Sequence, residues 1–280
     1  MNSLSRRALM ISACGASALK ARKLQTIGAQ LYTVRSILPD KPHETLQAIE
    51  KIGYREVEVT GATLATIWPA LKQTKLRAVS VHLDTSLFTR NQEKLAPALE
   101  DAKQRGFQYV VCPYIDPRDR GGADVIRKLG ETLTKAGEKC RAIGLSLCYH
   151  NHAFEFEPSG SGTLLDVLMK ASDPKLVSLE FDIMWSQVAG VDPVSVLKQY
   201  GGRIALMHLK NVAPGTPKQY KEPLPPTAFK EVGNGTIDVR AVLRAAAPYV
   251  KHYFVEQDQV PGNPLDSLRQ SMEYLRNLDF

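Results

Sequence analysis

Leu145-Ser-Leu-Cys-Tyr-His-Asn-His152 is a hydrophobic run of strand length that ends in two imidazoles. Three later segments repeat its form. Val177-Ser-Leu-Glu-Phe-Asp182 ends in a carboxylate, Ile204-Ala-Leu-Met-His208 in an imidazole and His252-Tyr-Phe-Val-Glu256 in a carboxylate. A barrel of parallel strands gathers such C-terminal ends at one mouth, where catalytic residues of that architecture sit. Two imidazoles, an aspartate and a glutamate meeting there make a ligand set for a divalent ion.

The rest of the chain supports that architecture. Strand-like runs are predicted at residues 27–32, 54–59, 76–81, 109–113, 145–150, 176–182, 204–210 and 252–256. Between them lie amphipathic stretches of helical period, among them 44–52, 93–105, 125–142, 164–170 and 194–200. Gly53, Gly106, Gly144 and Gly201 close helices just before the next strand. The fold class is therefore α/β, a single (β/α)₈ barrel over residues 26–280. An open doubly wound sheet is the rival, but no Gly-x-Gly-x-x-Gly turn follows the first strand.

Alternation within the strands predicts which side chains face inward. Val57, Val59, Val79, Val81, Leu145, Leu147, Val177, Leu179 and Phe181 form an apolar face that packs under the helices. The opposite face carries Glu56, Glu58, Ser80, His82, Asp84, Cys148, His150, His152, Ser178, Glu180, Asp182, His208, Lys210 and Glu256. Charged groups inside a barrel are costly unless paired or bound to metal, so this pattern predicts a polar cavity. Residues 211–235 are rich in Pro and Gly and are expected to form a loop over that cavity. Asp238 is expected to cap the helix that follows.

Hydrophobic residues make up 44% of the 280, enough for one large core. The formal net charge of +7 is spread without a nucleic-acid-binding stripe, so no nucleic-acid partner is expected. Residues 1–21 do not read as fold. Ser5-Arg6-Arg7-Ala8-Leu9-Met10 precedes a small apolar stretch, the pattern of a twin-arginine export signal. Cleavage after Ala18 follows Ala16-Ser17-Ala18; Ile11-Ser12-Ala13-Cys14 offers a lipoprotein-type alternative. A periplasmic location is the expectation, without stable membrane insertion after processing, since no other segment is long and apolar enough to span a bilayer. Cys14, Cys112, Cys140 and Cys148 do not make a disulfide framework. The oligomeric state stays open, a homo-oligomer included.

Five segments resemble the xylose-isomerase-like TIM barrels of the sugar (phosphate) isomerase/epimerase superfamily. They are Gly28-Ala-Gln-Leu-Tyr-Thr-Val-Arg35, Tyr149-His-Asn-His-Ala-Phe-Glu-Phe156, His208-Leu-Lys210, Val232-Gly-Asn-Gly-Thr-Ile-Asp238 and Phe254-Val-Glu-Gln-Asp258. The resemblance implies a metal held by Glu, Asp, His and Glu from strands five to eight. Asp182, His208 and Glu256 match the last three. His150 stands where the family has its first carboxylate, so His150 ligates instead, Glu155 reaches in, or the metal is held less tightly. One divalent metal is implied, with Mn, Co, Fe and Zn all suited to such a shell.

The implied chemistry is proton abstraction next to a carbonyl of a free keto sugar or 3-keto glycoside, as an isomerase or epimerase. The loss of one carboxylate favours the alternative, a lyase or hydratase of oxidised glycosides. Glu256, Glu155, His152 and Lys210 are the candidate acid–base residues, with a Lys210–Glu180 ion pair as the structural alternative. Gln30, Tyr32, Glu58, His82, Glu180 and Trp185 are candidates for binding sugar hydroxyls or stacking on the ring; for Glu58 and His82, pairing with Arg35 or Lys210 is the other reading. A non-catalytic sugar-binding barrel and a DNA-repair endonuclease are the rivals. Six histidines in all are few for the multi-metal cluster of the latter.

Overall fold

The computed structural model describes residues 22–222 and 224–280; the export segment read at 1–21 lies outside them. Eight parallel strands close a barrel among the described residues. They are β1 (Gly28–Gln30), β2 (Glu56–Thr60), β3 (Arg77–His82), β4 (Tyr109–Cys112), β5 (Ser146–His150), β6 (Val177–Asp182), β7 (Ile204–Leu209) and β8 (His252–Val255). Each strand pairs with its neighbours in chain order, and β8 returns to β1. Parallel strands must be joined by crossovers, and helices supply them. These are α1 (Pro42–Ile52), α2 (Gly61–Leu71), α3 (Leu95–Gln104), α4 (Ala123–Ala142), α5 (Leu164–Ala171), α6 (Ile183–Val188), α7 (Pro193–Tyr200), α8 (Val239–Ala246) and α9 (Pro264–Asn277).

One apolar cluster fills the layer between strands and helices, with Val57, Val59, Val81, Leu147, Leu179 and Phe181 among its members. The longest helix packs closely there. A Cβ on Gly130 would lie 2.8 Å from that of Ala171, so α4 reaches α5 only because no side chain intervenes.

A second cluster comprises Val79, Tyr109, Val111, Cys148, Leu206 and Phe254. Cys148, Leu206 and Phe254 each stand two residues before a residue of the polar mouth, so this cluster is the barrel's inner floor. Val79 was expected on the outer face with Val81, and its membership here is a correction. The ladder between β2 and β3 slips: Val57 pairs with Ala78 but Glu58 with Ser80, leaving Val79 without a partner. The ladder from β6 to β7 slips in the same way, and Ala205, the residue passed over, packs against the same floor. Bulges re-aim single side chains in this manner.

Several boundaries differ from the expected ones. The first strand stops at Gln30, because its side chain accepts from Tyr32 N and turns Leu31–Val34 into a 3₁₀ helix. Tyr32 is therefore exposed on the rim. The helix expected at 93–105 begins as a separate 3₁₀ turn, Gln92–Lys94, ahead of α3. Gly53, Gly106 and Gly144 have positive φ, as helix-closing glycines do, whereas Gly201 opens a 3₁₀ turn in a right-handed conformation. Asp84 does not reach the barrel interior; it is exposed and caps Thr85–Leu87. The segment after β7 carries a short antiparallel ladder, Asn211–Val212 with Phe229–Lys230, and Asp238 accepts from Ala241 N at the start of α8.

Candidate metal centre and cavity

His150 ends β5 and Asp182 ends β6, and Asn151 fastens the two ends together. Its Oδ1 accepts from Asp182 N at 3.0 Å and its amide donates to Asp182 O at 3.3 Å. Asp182 divides its carboxylate. Oδ1 accepts from Met184 N and Trp185 N, at 2.8 and 3.0 Å, and so caps α6. Oδ2 turns inward, 2.8 Å from Lys210 Nζ and 3.8 Å from His150 Nε2. His208, on β7, has Nδ1 2.8 Å from Glu256 Oε2. One ligand atom from each of His150, Asp182, His208 and Glu256 lies within 4.8 Å of the others, and all four residues are buried.

A second group meeting the same test lies one layer deeper: His82, His150, Glu180 and His208. Glu58 binds this layer together, with His208 Nε2 at 2.6 Å, His82 Nε2 at 2.9 Å, Gln30 Nε2 at 2.7 Å, and a hydrogen bond from Ser80 Oγ. Glu180 Oε2 is 2.7 Å from His82 Nε2. Gln30, Glu58 and Glu180 are thus fully buried beneath the cavity rather than on its wall, a correction to their expected contact with substrate. The expected pairings of Glu58 with Arg35 or Lys210, and of Lys210 with Glu180, do not form. Arg35 stacks on Tyr32. Lys210 Nζ lies a layer above Glu180 and holds Asp182, Glu256 and Asp258 at 2.8, 2.6 and 2.6 Å.

The electrostatics follow from five buried or nearly buried carboxylates, three around Lys210 and two against His82 and His208. Burial opposes the charge on Lys210, but Asp182, Asp258 and Glu256 outweigh it and hold the ammonium well above the usual lysine range. Burial likewise works against a charged His82, yet Glu58 and Glu180 raise it to about 9. His208 is raised well above the ordinary range by Glu180, Glu256 and Glu58, again against burial. His150 goes the other way: burial first, then the charges on His208, His152 and Lys210, hold it well below, so its ring is neutral at physiological pH.

The residues fit a divalent ion. His150 Nδ1, Glu180 Oε1 and Asp182 Oδ2 are buried without a well-formed hydrogen bond, the first and last facing only ion-pair contacts, Glu180 Oε2 at 3.2 Å and Lys210 Nζ at 2.8 Å. Buried polar atoms of native proteins are nearly always satisfied, so unpartnered ones on members of the two ligand groups mark a place for an additional group. A neutral imidazole with carboxylates suits Mn²⁺, Fe²⁺, Co²⁺ or Zn²⁺.

Above this floor lies a cavity of about 360 Å³. Of the expected residues, Tyr32, His82, His150, His152, Trp185 and Glu256 line it. His152 Nδ1 and Trp185 Nε1 are buried there with no partner. Burial and the Lys210 charge hold His152 well below the usual histidine range. Glu155 is absent from the cavity and from both ligand groups. It accepts from Tyr149 Oη at 2.6 Å and from His152 N at 2.8 Å, so it props the segment that presents His152 instead of reaching in as a ligand. Burial pushes it up to about 8. The 211–235 segment does cover the mouth, through Glu222, Leu224 and Phe229.

Sequence reasoning missed Asp258, Tyr114, Glu222 and Phe229. Asp258 carried a signal, because it stands two residues beyond Glu256 and shares its face. The others come from loops with no periodicity to read.

The profile of the xylose isomerase-like TIM barrel family matches residues 46–278, and the chain belongs to that family. An inosose dehydratase of Clostridium botulinum is 29% identical over 163 residues, 53% of this chain and 53% of the dehydratase; the chain thus spans about half the length of the curated relatives it matches. Among solved structures, a sugar phosphate isomerase/epimerase from Parabacteroides distasonis superposes with TM-score 0.74 at 23% identity, covering 93% of this chain and 96% of that one. The IOLI protein with a bound zinc atom superposes with TM-score 0.67 at 16% identity, covering 89% and 96%. These two likenesses are of fold. No helix among the described residues is long and apolar enough to cross a membrane.

Proposed function

We propose that the chain is a metal-dependent enzyme that abstracts a proton next to the carbonyl of a keto sugar or 3-keto glycoside. The observation that carries this reading is the convergence of His150, Asp182, His208 and Glu256 beneath a cavity whose wall holds an unpartnered, neutral His152. A divalent ion held by those four would supply Lewis-acid polarisation of the carbonyl. The chain's own groups do the rest. Lys210 holds the carboxylates of Asp182 and Glu256 in place. Trp185 and Tyr32 offer faces to the sugar ring, and Trp185 Nε1 a donor to one of its oxygens. His152 Nδ1 accepts the proton, the C–H electron pair forms a carbon–carbon double bond to the carbonyl carbon, and the carbonyl π pair moves onto its oxygen.

Two outcomes then diverge. Return of the proton to the former carbonyl carbon, with the neighbouring hydroxyl's proton passing to the first oxygen, is isomerisation; departure of an oxygen substituent one carbon beyond the deprotonated carbon, which takes up the proton as the carbonyl re-forms, is elimination. Epimerisation calls for bases on both faces of the carbon, and here a neutral histidine stands where a second carboxylate would be. Elimination is therefore the favoured branch, in keeping with the similarity to inosose dehydratases. Residues 1–21 as an export signal would place the enzyme in the periplasm, where free sugars and glycosides are the available substrates.

The test couples metal analysis with solvent exchange. Purified wild-type protein should hold about one transition-metal ion per chain, and His150→Ala should lose it. In D₂O, the loaded protein should exchange the proton next to the carbonyl of a 3-keto glucoside. His152→Ala should keep the metal and slow exchange by about 10²–10⁴-fold. Full exchange in His152→Ala removes that residue from the mechanism, and a wild type that takes up no metal after reconstitution refutes the reading as a whole.

A further inference from the structure

A second cavity, of about 500 Å³, adjoins the first, and Glu222 borders both. We infer that it is a subsite for a second sugar ring, so that the substrate is a disaccharide or longer glycoside lying across both cavities. This rests on the reading of the inner cavity as a sugar site.

The partition between the two is built from few parts. Arg120 Nη2 donates to Glu222 Oε2 at 2.8 Å, with both side chains mostly buried at 15% and 13% exposure. The Arg120 guanidinium is clamped between two rings, 4.9 Å from the centroid of Tyr114 and 3.9 Å from that of Phe154. Tyr114 faces the inner cavity and Phe154 the outer one. Arg120 Nε also donates to Ile115 O at 2.8 Å, which fixes the guanidinium plane. Glu222 is thereby held by one oxygen only. Its other oxygen, Oε1, is buried and accepts nothing.

An unpartnered buried carboxylate oxygen is costly unless a ligand donates to it, so its position calls for a hydrogen-bond donor on the guest, which a sugar hydroxyl supplies. The rest of the outer cavity fits a sugar ring. Tyr220, Phe154 and Leu164 give apolar faces, while Ser159 and Glu157 give hydrogen-bonding groups at its edge. Both volumes lie within the range of small-ligand sites. One ring over the metal ligands and a second beyond Glu222 would place the bond between them beside that carboxylate.

The test is calorimetric, on the full chain, with a one-ring probe, methyl 3-keto-glucoside, and a two-ring probe, 3-keto-cellobiose. Wild type should bind the two-ring probe at least about tenfold more tightly. Tyr220→Ala, which alters only the outer cavity, should erase that advantage and leave the one-ring affinity within twofold; Tyr220→Phe should keep the advantage. Glu222→Gln should reduce it as well. Equal affinities in the wild type, or an advantage that survives Tyr220→Ala, overturn the subsite while leaving the sugar-binding reading intact. Failure of both probes to bind overturns the sugar reading and the subsite with it. A phenyl 3-keto-glucoside that gains as much as 3-keto-cellobiose would overturn the assignment of a hydroxylated ring.

Discussion

The two ends of the barrel interior are built from the same strands and follow opposite rules. Toward the N-terminal end Val79, Tyr109, Val111, Cys148, Leu206 and Phe254 pack into an apolar floor, closed below by Glu56, which pairs with Arg77 and His252. Gly28 belongs to that floor by absence, since a Cβ there would collide with the Phe254 ring. Two residues further along β5, β7 and β8, the interior becomes His150, His208 and Glu256, with Lys210 and Asp258 another two residues on. The first layer is apolar packing, with a single titratable carboxylate below it already paired. Unmet polar demand is concentrated in the second, where charges are buried beside one another and polar atoms lack partners. The lesson is that one strand can serve both layers because its inward-facing residues, two apart, fall in successive layers.

That contrast is most directly broken by His208→Ala. It should abolish metal binding and lower turnover by about 10⁴-fold, read by elemental analysis and by proton exchange. If metal and activity both persist, the upper layer is not the site. Phe254→Ala should do the converse. Emptying the floor should cost about 3–5 kcal/mol in denaturant unfolding and leave one metal per folded chain. A loss of metal at full stability would show that the layers are not separable. The smallest effect sharpens the boundary between them. Folding raises Glu155 from its ordinary 4.5 to about 8, so the folded state keeps a proton that the unfolded chain releases. Stability should therefore rise as pH falls from 9 to 7, by about 1 kcal/mol relative to Glu155→Gln. A flat difference between the two proteins over that interval would mean that Glu155 is ionised in the fold.

Much of the upper layer was legible in the sequence because alternation tells which face a residue takes. His150, Asp182, His208 and Glu256 were found that way. Alternation does not tell depth, which depends on how adjacent strands are staggered around the barrel. Gln30, Glu58 and Glu180 share the face of the ligands but lie a layer lower, and so were assigned to substrate. Val79 escaped because a bulge breaks the alternation on which the inference depends. The pairing of Arg120 with Glu222, 102 residues apart and on two irregular loops, left no periodic trace. Its only visible sign was a loop too long and too rich in proline to be a simple connection.

Asp182 has two employments, one oxygen for α6 and one for the centre. That duty limits how the chain can drift over evolutionary time. Under the proposed function, a descendant that abandoned catalysis could shed His150 or Glu256 with little harm to its backbone. Replacing Asp182 would fray the helix that carries Trp185, so this position should be retained even in inactive offspring, as the last relic of the centre.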